Sequence, residues 1–141
     1  MKKLISIILI ISTVFLFGCE SINQVYGKIY DVRVIAEDFC LALSDDNIEL
    51  AQTYLHPDSS LNNDFGDFIA KLEGENDFDF SEGVAFLFRG EASAALYSFQ
   101  YDGSPYELEY NLVIGKKEIC LLFVVINNQN GWGIYDVQSA S

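Results

Sequence analysis

Over residues 106–114 every second position is apolar: Tyr106, Leu108, Tyr110, Leu112 and Ile114 alternate with Glu107, Glu109 and Asn111. A period of two marks a half-buried strand. Residues 119–126 are apolar almost without a break, which predicts a central strand covered on both faces. Gly115-Lys116-Lys117 separates these runs, residues 127–131 lead into a further strand over 132–137, and Asp102-Gly103-Ser104-Pro105 joins residues 92–101 to the front. The expected result is an antiparallel meander. Pairing Ile114 with Glu118, Tyr101 with Tyr106 and Ile126 with Trp132 sets its register. One face then collects Tyr97, Leu108, Tyr110, Leu112, Leu122, Val124, Trp132, Ile134 and, beyond them, Asp136. The opposite face takes Val113, Leu121, Phe123, Val125, Tyr135 and Val137. That face is apolar enough to predict an interface, with a homodimer or an envelope protein as the partner. A slip of one residue would exchange the two sets.

Upstream the period lengthens. Val32, Ile35, Ala36, Phe39, Cys40 and Leu43 recur at helical spacing and form one apolar stripe. Asp46 followed by Glu49 reads as a capping box, opening a second helix with Ile48, Ala51, Tyr54 and Leu55 inward. His56-Pro57 ends it, because the residue before proline avoids the helical region. A third helix is predicted from Leu61 to Leu72, stopped by Gly74. Residues 84–88 form another strand, turned by Arg89-Gly90-Glu91. Helices first and a meander after them give an α+β fold, with N-terminal helices packed on an antiparallel sheet.

The first eighteen residues belong to a different pattern. Lys2 and Lys3 precede an apolar run over 4–17, followed by Gly18-Cys19. A basic start, a short apolar centre and a small residue at the cut describe a secretory signal, and the run is short for a membrane span. Leu16-Phe17-Gly18-Cys19 resembles a bacterial lipobox, in which the cysteine is lipidated and becomes the mature N-terminus. Residues 1–18 are therefore read as a lipoprotein signal peptide, 19–28 as a tether and 29–138 as one domain. Removing 1–18 takes two lysines and no acids, leaving 6 basic against 21 acidic residues, a net charge of −15. Such a charge disfavours nucleic acid and repels an anionic membrane surface. The lipid on Cys19 must then hold the domain, and several acyl chains do so stably where one does not.

Candidate chemistry is sparse. Cys40 on the first helix and Cys120 on the sheet are both expected in the core as free thiols. A helix on a sheet keeps backbones about 10 Å apart, beyond the roughly 7 Å a disulfide tolerates. His56 is the one histidine, which excludes a histidine metal cluster, and its place at a helix end suggests a surface cap. Asp77, Asp79 and Ser81 imitate the start of a calcium loop, but Phe88 stands where the bidentate glutamate belongs. No metal and no cofactor is expected. Asp136, with its predicted inward direction, is the carboxylate best placed to act as a base.

The helical pair around Ala36-Glu37-Asp38-Phe39, Leu43, Asp46, Ala51 and Leu55, the long strands and the terminal Gly131-Trp132-Gly133-Ile134 resemble the nuclear transport factor 2-like superfamily. Small bacterial lipoproteins are the nearest likeness within it. The resemblance implies a curved sheet wrapped around helices as a cone, often with an internal cavity; Tyr54, Tyr97, Tyr110 and Asp136 are the candidates to line it. It also implies members that bind ligands, dimerise or catalyse. The expected function is a membrane-anchored, non-catalytic module for a small apolar ligand or a protein partner. The alternative is an enzyme of the same fold that uses Asp136 as acid or base on a small apolar substrate.

Overall fold

The computed structural model describes residues 32–92 and 103–139. Cys19, the signal and tether segments, and the strand expected over 93–101 with Tyr97 lie outside them. Helix α1 covers 32–44. It is followed by α2 (Ile48–Thr53), a 3-10 turn at Ser60–Asn62, α3 (Phe65–Asn76) and a second 3-10 turn at Phe80–Glu82. Among the described residues four strands complete the order: β1 (Val84–Ala92), β2 (Ser104–Ile114), β3 (Lys117–Asn128) and β4 (Gly131–Ser139). They form one antiparallel sheet in sequence order. The protein is α+β, helices preceding a meander.

The helical stripe behaves as its spacing demands. Val32, Ala36, Phe39, Cys40 and Leu43 are all buried. Phe39 meets Phe65 of α3 at 5.9 Å and Phe123 of β3 at 6.2 Å between ring centroids, which seats α1 on the sheet. The cap of α2 is Asn47, whose side chain accepts from the Leu50 amide, not Asp46; Asp46 takes a positive φ of 53° in the turn before it. A short acceptor at that spot satisfies an amide that has no partner inside the helix. Helix α3 starts later than Leu61 and runs past Gly74, ending where Asp77 adopts a left-handed conformation.

The hairpin between β2 and β3 departs from expectation by one residue. Ile114 pairs with Lys117, so the connection is the two-residue turn Gly115-Lys116, with Gly115 at φ 57°. A two-residue loop with a positive φ matches the twist of the strands it joins. The whole of β3 is therefore turned over. Leu108 pairs with Phe123 and Tyr110 with Leu121, and Leu121, Phe123 and Val125 are fully buried core residues. Cys120, expected in the core, lies on the other face of β3, partly exposed. Val124 and Ile126 are buried as well, which makes the second half of β3 a strand covered on both faces.

Two further one-residue effects follow. Arg89-Gly90-Glu91 is not a turn. Strand β1 continues through it along β2, with a register shift between Phe88 and Gly90. In β4, Ile134 pairs with Val125 but Asp136 pairs with Val124, so Tyr135 is the extra residue of a bulge. Ahead of the bulge Ile134 points into the core; after it Val137 does. Asp136 is thereby turned to the outer face, and Trp132, expected inside, lies at the sheet's end with 37% of its surface exposed. The outer edge of β4 is covered by the chain leaving α2. The His56 amide donates to the Ile134 carbonyl at 2.8 Å, and the Ile134 amide donates to the Tyr54 carbonyl at 2.9 Å.

Candidate functional site

Two polar clusters stand out against the apolar fold. The first centres on Tyr110, which β2's alternation turns toward α1. Its hydroxyl donates to Glu37 Oε1 at 2.8 Å, and Arg33 Nε donates to the same hydroxyl at 3.4 Å. Arg33 and Glu37 stand one helical turn apart on α1 and pair at 3.4 Å. The Arg33 guanidinium also lies 4.2 Å from the centre of the Phe88 ring. Burial is the main cause that pushes the Tyr110 phenol above its ordinary range, and its bond to Glu37 adds to this, against Arg33. The Tyr110 bond in turn raises Arg33. In this setting Tyr110 is a hydrogen-bond donor and not a base.

The second cluster is built around His56, which is completely buried and is not the surface cap its position suggested. Its Nδ1 accepts from the Asp58 amide at 3.0 Å. Its Nε2 faces two acceptors, Asn128 Oδ1 at 3.1 Å and the Gly131 carbonyl at 3.2 Å. A donor N–H at Nδ1 and two acceptor oxygens at Nε2 fit the tautomer with its hydrogen on Nε2. Asp58 closes the circle: its carboxylate accepts from Asn128 Nδ2 at 3.0 Å and from Asn130 Nδ2 at 2.9 Å. These bonds, from Asn128 and then Asn130, hold the Asp58 carboxyl below the usual range, and His56 contributes in the same direction. Ser59 and Asn62 tie the turn down, Ser59 Oγ donating to the Tyr135 carbonyl at 2.6 Å and Asn62 Nδ2 to the His56 carbonyl at 2.8 Å. The ring is a staple between the α2 exit and the β3–β4 hairpin.

The remaining candidates are scattered. Asp136, on the outer face after the bulge, accepts from the Val137 amide at 2.9 Å and from Gln138 Nε2 at 2.6 Å. It does not share a face with Tyr110, and Tyr54 caps the end of α2 beside β4. The four-residue cavity lining is thus not assembled by the described residues, and Tyr97 lies outside them. Of the expected interface, Leu121, Phe123, Val125 and Val137 are core, for the reasons of turn length and bulge given above. Tyr135 is half-buried at the bulge. Val113 does face outward, 44% exposed, with Leu87 nearby at 62%.

Asp79 accepts from the amide and hydroxyl of Ser81 and so caps a 3-10 turn, while Asp77 pairs with Lys117 at 2.6 Å. The described residues contain no cluster of three or more acidic, histidine or cysteine side chains suited to a metal. Cys40 and Cys120 are both free; burial pushes each thiol up. Surface hollows of about 350 and 760 Å3 lie elsewhere, the first between Leu43, Ile69 and Phe80, the second between Phe78, Glu82 and Lys116. Neither is lined by Tyr54, Tyr110 or Asp136.

Sequence reasoning missed Arg33, Glu37, Asp58, Asn128 and Asn130. The Arg33/Glu37 spacing and the run Asn127-Asn128-Gln129-Asn130-Gly131 were the available signals. No family model, curated protein or solved structure matches the chain.

Proposed function

We propose that this chain is an extracytoplasmic lipoprotein of the bacterial envelope, anchored through a lipidated Cys19. Its α+β domain would act as a non-catalytic binding or interaction module, built as a nuclear transport factor 2-like cone. The observation that carries the reading is the order Lys2-Lys3, an apolar run over 4–17, and Gly18-Cys19. The acidic balance of the rest supports it, because a net charge of −15 keeps such a domain soluble and away from phosphate-rich partners. The enzyme alternative is not favoured. It needs Asp136 on the face that holds Tyr110, and the bulge at Tyr135 separates them.

The test is metabolic labelling with a fatty acid. The wild-type protein should take up label and fractionate with membranes, whereas Cys19→Ser should lose the label. Equal labelling of both would overturn the proposal.

A further inference from the structure

The geometry points to His56 as a proton-operated latch that joins the turn at Asp58 to the β3–β4 hairpin near neutral pH and releases it on acidification. A second proton on the ring has one place to go, Nδ1, and the Asp58 amide already points its hydrogen there at 3.0 Å. Two donors cannot share that position, so one must leave. An acceptor for an Nδ1 hydrogen is at hand in Asp58 itself, whose Oδ2 stands 3.7 Å away. Rotating that carboxylate onto the ring removes it from Asn128 and Asn130, which hold it at 2.9–3.0 Å. The backbone N–H of Asp58 and the side-chain amides of the hairpin then turn to water. The same carboxylate therefore serves either the hairpin or the charged ring.

The groups facing the ring among the described residues leave few other outcomes. From its own turn comes Asp58, and from β4 the Tyr135 ring, 6.4 Å away. The β3–β4 hairpin presents Asn128 and the Gly131 carbonyl, and the Ser60–Asn62 turn presents Asn62; none of these is charged. Asp58 stays ionised throughout, since Asn128 and Asn130 hold its carboxyl below the usual range. Histidine is the side chain suited to switch between about pH 8 and pH 5. The backbone bonds that cover the edge of β4, from the His56 amide to the Ile134 carbonyl and from the Ile134 amide to the Tyr54 carbonyl, involve no ring atom, so that edge stays covered while the hairpin tip is released.

The experiment is NMR on the full-length chain in detergent, titrated from about pH 8 to about pH 5. At the upper end the imidazole nitrogens should report the Nε2–H ring. On acidification, ring protonation should coincide with a shift of the Asn128 and Asn130 side-chain amides. Exchange of the Asp58 amide, corrected for pH, should quicken by about tenfold, while the Ile134 amide stays protected. His56→Gln, which keeps a donor toward Asn128 but cannot be charged, should hold those signals constant. Asp58→Asn, a half-exposed change that preserves the backbone donor, should abolish the coupled amide shift while the domain remains folded. Ring protonation with no change at Asn128 and Asn130 would overturn the latch, as would a ring that stays neutral until the whole domain unfolds. The same amide shifts in His56→Gln would overturn it too.

Discussion

The middle of β3 and its end are held by opposite means. At the middle, Phe123 packs edge-on against the rings of Phe39 and Tyr110, with centroids 6.2 and 5.9 Å away. At the end, Asn128 is fixed by His56 and Asp58, each through a directed hydrogen bond near 3 Å. Apolar burial is non-directional and grows with area, so the middle tolerates small shifts and fails mainly through lost volume. A buried polar ring is worth keeping only when every member is satisfied, so the end fails through a single misplaced donor. One strand thus carries both an apolar centre and a directed polar end.

The largest break should come at the middle. Phe123→Ala removes a fully buried ring shared by α1 and β2, and should cost about 3–5 kcal/mol, enough to threaten folding of a domain this size. Denaturant unfolding reads it; a loss below about 1 kcal/mol would mean that the core is not organised around Phe123. A smaller but more local break is Gly133→Ala. A methyl group there would run into the backbone of His56 and Leu55, atoms that cannot swing aside as a side chain can. The segment over 54–56 must then retreat from β4, at a cost of roughly 1–3 kcal/mol. Its mark should be fast hydrogen exchange at the His56 and Ile134 amides, with the Phe39–Phe123 centre still protected.

The same contrast explains what could be read in advance. Period-two alternation placed Leu108, Tyr110 and Leu112 inward, and helical spacing placed Val32, Phe39 and Leu43 inward, because burial repeats along the chain and leaves a pattern. Single-residue events leave none. A turn of two residues instead of three exchanged Phe123 and Val125 with Leu122 and Val124. One inserted residue at Tyr135 exchanged Asp136 with Val137. His56-Pro57 was read as the helix terminator, but α2 already closes at Thr53 with Tyr54 as its cap, and His56 was not legible as a buried staple, since its partner Asn128 lies 72 residues away. Nothing in the sequence between them states that they meet.

The smallest effect should sharpen the comparison, because it separates two titrations at the same polar end. The folded Asp58 carboxyl is depressed, by Asn128 first, then Asn130, then the nearby His56. A depressed carboxyl stabilises the fold above the unfolded value, about pH 3.9, and that contribution is lost as pH falls through the lower folded value. The His56 latch proposed above is a separate event, read at the ring nitrogens and the Asn128 and Asn130 side-chain amides and not in the Asp58 carboxyl. Asp58→Asn should therefore be slightly less stable than wild type at neutral pH, and the two should converge in acid below about pH 4. Asp77→Asn makes a useful companion, since Lys117 depresses that carboxyl in the same direction but far from the hairpin. Both variants should flatten the acid limb of the stability curve. The middle of β3, with no ionisable group at Phe123, should show neither window in its own exchange until the domain unfolds as a whole. Convergence that begins near neutral pH in Asp58→Asn, and equally in Asp77→Asn, would show that the acid response comes from general surface charge and not from the polar end of β3.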